Sequence, residues 1–163
     1  MLTQEKLKEL FSYDPKTGNF IRLSKYSSNI VVGSIAGHKD KKGYVRMMVL
    51  GTLYRAHRLA WLYMYGVHPK DQLDHINNIK SDNRICNLRE ASGFQNNWNI
   101  KLKKNNTSGH KGVIYRKDSN KWRARCLLNR VAYNLGSFVN YDDAVAAYQE
   151  FAKKHHGDFC NLG

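Results

Sequence analysis

The sequence predicts an α+β protein in two parts: a mixed half that ends in a β-loop-β-helix segment, then a β-β-β-α unit. Three observations predict it. Short apolar runs with period-two alternation recur between turn signals, as strands require. Residues 57–65 and 142–155 carry apolar side chains at helical spacing. A polar, basic stretch at 101–110 separates two regions of different texture. The expected organisation is a first domain at 1–100 with its functional core at 71–100, a linker at 101–110 and a second domain at 111–163.

Each element has its own signal. Thr3 can cap a short helix that has Glu5 in its first turn and Leu7, Leu10 and Phe11 on one face. Residues 13–18 form a turn, with Pro15 setting the bend and Gly18 taking the left-handed position. Residues 20–23 read as a strand, and 24–43 as irregular chain. Residues 44–50 and 53–56 flank Gly51 and Thr52, a hairpin signal. A helix at 57–65 stops at Gly66, with Leu59, Leu62 and Tyr63 facing inward. From 71 to 99 short apolar pieces alternate with polar turns, and Ser92 can cap a helix through Gln95, Asn96 and Asn99. That segment holds too little apolar matter to stand alone and must lean on Leu59, Trp61 or Leu62. Beyond the linker, 112–117, 121–128 and 131–139 read as three strands joined by turns at 118–120 and 129–130. The last helix places Ala144, Ala147, Tyr148 and Phe151 on one face.

Composition narrows the function. A chain of 163 residues forms one domain or two small ones, and its 3 Trp, 10 Tyr and 6 Phe supply core material that a disordered chain lacks. The longest apolar run, 59–67, has nine residues, against about 20 for a membrane span. The first residues alternate charged and apolar, unlike a signal peptide. Cys86, Cys126 and Cys160 are odd in number and far apart, which argues against a disulfide framework or a zinc site of paired cysteines. A reducing cytoplasm is therefore expected. The 27 basic residues exceed the 13 acidic ones by 14, so a polyanionic partner is expected. The excess is uneven: net +7 over 1–100, +9 over 101–130 and −2 over 131–163.

Asp74 and His75 are the sharpest chemical signal. A carboxylate beside an imidazole at a strand end can place a divalent cation and a general base side by side. Asn87 follows in Asp82-Asn83-Arg84-Ile85-Cys86-Asn87-Leu88-Arg89, and Asn96 lies nine residues further on. The stretch LDHINNIKSDNRICNLREASGFQNNWN resembles the HNH nuclease motif, a ββα-metal finger, over about 44–100. It is similar to the small homing endonucleases of phages and their free-standing relatives. The resemblance implies that His75 is the general base, that Asp74 and Asn96 are the metal ligands, and that Asn87 orients the base. Asn97 is a rival for Asn96. It also implies DNA phosphodiester hydrolysis with one divalent metal ion, Mg²⁺ first and Mn²⁺ second. Hydrolysis needs a nucleophile and relief of phosphate charge, which one histidine and one hard cation can supply. Zinc fits less well, because no soft or multi-histidine cluster exists. Asn77, Asn78 and Asn83 read as turn builders, Asp82 as a loop acceptor and His57 as a helix-start residue. Arg84 and Arg89 suit phosphate contact and packing equally.

The basic second part resembles the plant ethylene-response-factor (Apetala-two) DNA-binding domain over about 108–161, most specifically in Leu135-Gly136-Ser137-Phe138 and in Asp142 to Tyr148. The resemblance implies a three-stranded antiparallel sheet in the major groove, backed by one helix. Alternation then sets Trp122, Ala124 and Cys126 toward the helix, and Arg123, Arg125 and Leu127 outward. Arg116 and Asn134 join the outward set, and Arg and Asn suit guanine and adenine edges. Lys101, Lys103 and Lys104 are expected to track a phosphate backbone or minor groove. The expected partner is double-stranded DNA, met by a monomer in a host cytoplasm without a small-molecule cofactor. A DNA-binding regulator with an inactive nuclease domain, or a basic RNA-binding protein, would share the charge signature.

Overall fold

Thr3 caps the first helix as expected: its hydroxyl accepts from the Lys6 amide at 3.3 Å, and α1 runs Gln4–Leu10. The computed structural model describes residues 1–162. Among them the chain is mixed α/β, with four α-helices and four small antiparallel sheets. It packs as two compact units, Met1–Ser92 and Gly93–Gly163.

In the first unit, α1 gives way at Phe11 to β1 (Phe11–Asp14), which pairs with β2 (Asn19–Arg22). Phe11 was expected on the helix. Its backbone is extended instead, because Phe11 and Tyr13 alternate inward against Phe20, a period of two rather than 3.6. The turn between them comes under the 83–84 backbone. A Cβ on Gly18 would lie 2.5 Å from the Arg84 nitrogen, so only glycine fits. β3 (His38–Lys39), β4 (Val45–Val49) and β5 (Thr52–Arg55) form a second sheet in that order. Val49 pairs with Thr52, so the hairpin turn is Leu50-Gly51, one residue earlier than expected. α2 (Ala56–Tyr65) stops at Gly66. Leu59 and Leu62 enter one core with Leu7, Leu10, Phe11, Phe20, Met47 and Val49. β6 (Gln72–His75) pairs with β7 (Leu88–Ala91), and a short 3-10 turn at Ile85–Asn87 precedes β7. Leu88 and Ile85 reach the α2 core, the support this segment was expected to need.

In the second unit, α3 (Gly93–Asn99) is followed by irregular chain, then β8 (Val113–Arg116), β9 (Lys121–Leu128) and β10 (Val131–Phe138). The sheet order is β10-β9-β8, all antiparallel, with an irregularity between Asn134 and Gly136. α4 (Tyr141–His156) backs it through Ala144, Tyr148 and Ala152, against Val113, Ala124 and Cys126. Ala147 and Phe151, expected on the buried face, flank it half-buried. The helix Gly93–Asn99 packs with this unit: Trp98 stacks on His156 at 4.5 Å and 10°, and the Asn161 amide donates to the Asn99 carbonyl at 2.9 Å. No helix among the described residues is long and apolar enough to cross a membrane.

Candidate active site

β6 carries Leu73, Asp74 and His75 into the interior of the first unit, all three buried. Its partner β7 sets Asp74 directly opposite Arg89, and His75 opposite Leu88. Two Arg89 nitrogens, Nε at 2.9 Å and Nη2 at 2.8 Å, donate to Asp74 Oδ2. A buried carboxylate needs such a counter-charge, and the fork of one guanidinium fixes its plane. Arg89 is thus a structural partner of Asp74.

The chain turns sharply after His75. Asn78, at φ 61°, donates its amide to the His75 carbonyl at 2.8 Å. Asn tolerates this left-handed backbone better than most residues. The Asn87 side chain then staples the loop: its oxygen accepts from the Asn77 amide at 3.0 Å, and its nitrogen donates to the Asp82 carbonyl at 2.9 Å. The Asn77 side chain donates to Asp82 Oδ2 at 2.7 Å, and the Arg84 Nη2 to the same oxygen at 2.6 Å. Arg84 and Asn77 hold the Asp82 carboxyl down at about 2, with the Arg84 bond the largest cause. Asn77, Asn78 and Asp82 therefore build the loop, as their residue types predict.

Three rings meet at the end of β6. The His57 ring stands edge-on to His75 at 4.9 Å and 79°, and Tyr44 lies 5.5 Å from His57 and 6.0 Å from His75. His57 is buried, and its Nδ1 has no hydrogen-bond partner among the described residues. Burial, reinforced by the neighbouring His75, Arg55 and Arg58, pushes the His57 pKa down to about 3. Burial also lowers the pKa of His75, against opposing pulls from Asn83, Asp74 and Asp82. Both imidazoles are therefore neutral at neutral pH, the state a proton acceptor requires.

Sequence reasoning placed His57 at a helix start, where it is. It did not foresee that the same ring would pack on His75. Arg55 and Lys80 were missed altogether. They stand 4.7 and 5.1 Å from the Tyr44 ring centroid. Their nearness depends on a fold that joins β5, the loop before β4 and the loop after β6, and no local pattern reports it.

Asp74, His75 and Asn87 come together in the first unit. Asn96 and its rival Asn97 stand on α3 in the second. Among the described residues, no three His, Cys, Asp or Glu are arranged to share a cation. The buried Asp74 carboxylate is a hard oxygen donor with no thiolate beside it in its strand pair. A buried carboxylate suits a hard cation such as magnesium or manganese, and a carboxylate beside imidazoles is also a donor set that zinc accepts.

On the second unit's sheet, Arg125 lies opposite Asn134, and Arg123 opposite both Ile114 and Ser137. These side chains share the face away from α4, while Ala124 and Cys126 are buried beneath it. Arg116 reaches the exposed Asp118 at 2.7 Å, so part of its charge is answered within the protein. Lys101, Lys103 and Lys104 are exposed on the irregular segment between α3 and β8.

Comparison with known proteins gives two kinds of match. Residues 54–97 match the HNH endonuclease family. Protein 3.8 of Escherichia phage T7 is 32% identical over 109 residues, covering 66% of this chain and 89% of that protein. An uncharacterised HNH endonuclease of Acanthamoeba polyphaga mimivirus is 30% identical over 142 residues, covering 86% of this chain and 71% of that protein. No solved structure matches. The family match takes in Arg55, His57, Asp74, His75, Asn87 and Asn96.

Proposed function

The chain belongs to the HNH endonuclease family, and from that premise we propose that it is a metal-dependent DNA endonuclease with His75 as its general base. The observation that carries this reading is a buried, neutral imidazole at the end of β6, next in sequence to a buried carboxylate. Neutral His75 takes the proton of a water that attacks phosphorus. Tyr44 and His57 limit the orientations open to its ring. Asn87 keeps the following loop closed, so the ring does not drift with it. Asp74, with its plane set by Arg89, would hold the cation from the first unit, and the assignment of Asn96 as a second oxygen donor rests on the motif. When bound, the cation supplies charge relief on the phosphate and help for the departing oxygen. The expected products carry 5′-phosphate and 3′-hydroxyl ends.

We assign DNA targeting to the second unit. Arg123, Arg125 and Asn134 form a polar cluster on one sheet face, suited to base edges and phosphates. Arg116 plays a smaller part because of Asp118, and Lys101, Lys103 and Lys104 add phosphate contacts from outside the sheet. The biological role that fits is homing-like mobility in a phage or mobile element.

Plasmid nicking with Mg²⁺ or Mn²⁺ tests the reading. Wild type is expected to nick. His75→Ala is expected to lower the rate by at least about a hundredfold, the usual worth of a general base, with DNA affinity nearly unchanged. Tight binding without nicking by wild type would favour a DNA-binding regulator.

A further inference from the structure

We propose that Arg55 and Lys80, mounted on the ring of Tyr44, form a subsite beside His75 for a backbone phosphate of the strand being cut. The proposal rests on the nuclease reading and deepens it.

Three separate segments supply the parts. Arg55 ends β5, Tyr44 lies just before β4 and Lys80 lies in the loop after β6. The guanidinium carbon stands 4.7 Å from the Tyr44 centroid, and the ammonium nitrogen 5.1 Å. That ring is itself 6.0 Å from His75. Both cations are exposed.

The charge around the ring is out of balance. Arg55 pairs directly with Arg46 across the β4–β5 ladder. Like charges directly opposite each other destabilise a sheet. Arg46 is answered by Asp40 at 2.8 Å. The other Asp40 oxygen is already occupied by the Lys42 and Tyr44 amides. Neither Arg55 nor Lys80 has an acidic partner among the described residues. A cation over the half-buried Tyr44 ring gains about 0.5–2 kcal/mol, and its charge-assisted hydrogen-bonding capacity is left unused by that contact. A phosphate oxygen that reaches either cation would gain a charge-assisted hydrogen bond from it.

The chemistry selects a phosphodiester. A guanidinium fork matches two phosphate oxygens, and an ammonium supplies a point charge. A strand gripped there is fixed relative to the base, and that positioning raises the rate of attack.

The test uses the full chain with Arg55→Gln, Lys80→Gln and, as a control of equal charge change on α4, Lys154→Gln. Affinity for a short mixed-sequence duplex is measured in EDTA over a range of salt, and plasmid nicking with Mg²⁺ at sub-saturating DNA. Each of the first two variants is expected to lower the slope of log affinity against log salt by about 0.9, the value of one lost phosphate contact. Nicking should fall by roughly tenfold, mainly through KM, while the control matches wild type. Arg55→Lys and Lys80→Arg should restore the slope, which loss of folding would not allow. Wild-type slopes in both Gln variants, with wild type nicking normally, overturn the subsite alone. Altered slopes without any nicking by wild type overturn the nuclease reading and leave a phosphate contact.

Discussion

His57 is the residue whose chemistry reaches furthest beyond its sequence context. Its pKa is about 3 in the folded chain, against about 6.5 in an unfolded one. Above pH 6.5 both states are neutral there and the folded state carries no penalty. As pH falls below 6.5 the unfolded chain takes up a proton that the folded one refuses, so stability drops until about pH 3. Burial shifts His75 in the same direction. Urea unfolding at pH 7 and pH 5 is expected to show a loss on the order of 1 kcal/mol per pH unit in wild type, and a smaller one in His57→Phe. Equal losses in both would show that His57 is not the group responsible. At this scale the sequence revealed residue types in order, on which the proposed base and ligand rest. It did not reveal the ring cluster of Tyr44, His57 and His75, nor the grip of Arg89 on Asp74, because these partners are joined only by the tertiary fold.

Turns explain much of what was legible in the elements. Asn129 and Arg130 both take positive φ, 50° and 70°, as a tight hairpin between β9 and β10 demands. The turn at Leu50 and Gly51 has the same geometry, with φ of 47° and 80°, but a leucine stands where asparagine is favoured. That mismatch is why the sequence pointed one residue too far along. Leu50 is exposed and contributes little packing. Leu50→Asn is therefore expected to stabilise the first unit by up to about 1 kcal/mol, because asparagine keeps the β-carbon but answers the left-handed backbone with a local hydrogen bond. A rise in the urea midpoint at unchanged slope checks it, and no rise would mean that Leu50 packs better than its exposure suggests. The period-two pattern located all three strands of the second unit's sheet, β8, β9 and β10, because each has one face against α4. It missed β1, where two aromatic residues follow a helix without a break in apolarity.

At the scale of the whole chain, positive charge is shared equally. Residues 1–92 carry 15 basic and 8 acidic groups, and 93–163 carry 12 and 5, so each unit has net +7. Either unit alone should attract DNA, and neither should hold it as strongly as the full chain. Removing residues 108–163 takes away more than the proposed DNA-targeting surface. It also removes His156 from the face of Trp98 and the Asn161 donor from Asn99. A helix of seven residues does not persist unsupported in water. Under the proposed ligand set, chain 1–107 should then nick at least about tenfold more slowly than the full chain, the usual cost of disturbing a metal ligand's support. Nicking at the full rate with altered target choice would show that α3 is dispensable to the chemistry.

The membership of Gly93–Asn99 in the second unit bears on how such proteins can be recombined. The basic stretch at 101–110 looks like the natural seam for exchanging C-terminal units between relatives. A chimera joined there would keep the helix of one parent and set it against the sheet and terminal helix of the other, with Trp98 meeting a foreign counterpart of His156. A graft made between Ser92 and Gly93 would carry the helix along with its own stacking partner. Exchange of the second unit, in the laboratory or in a genome, should therefore succeed more often when the crossover falls inside the recognisable nuclease motif than when it falls in the linker that follows it.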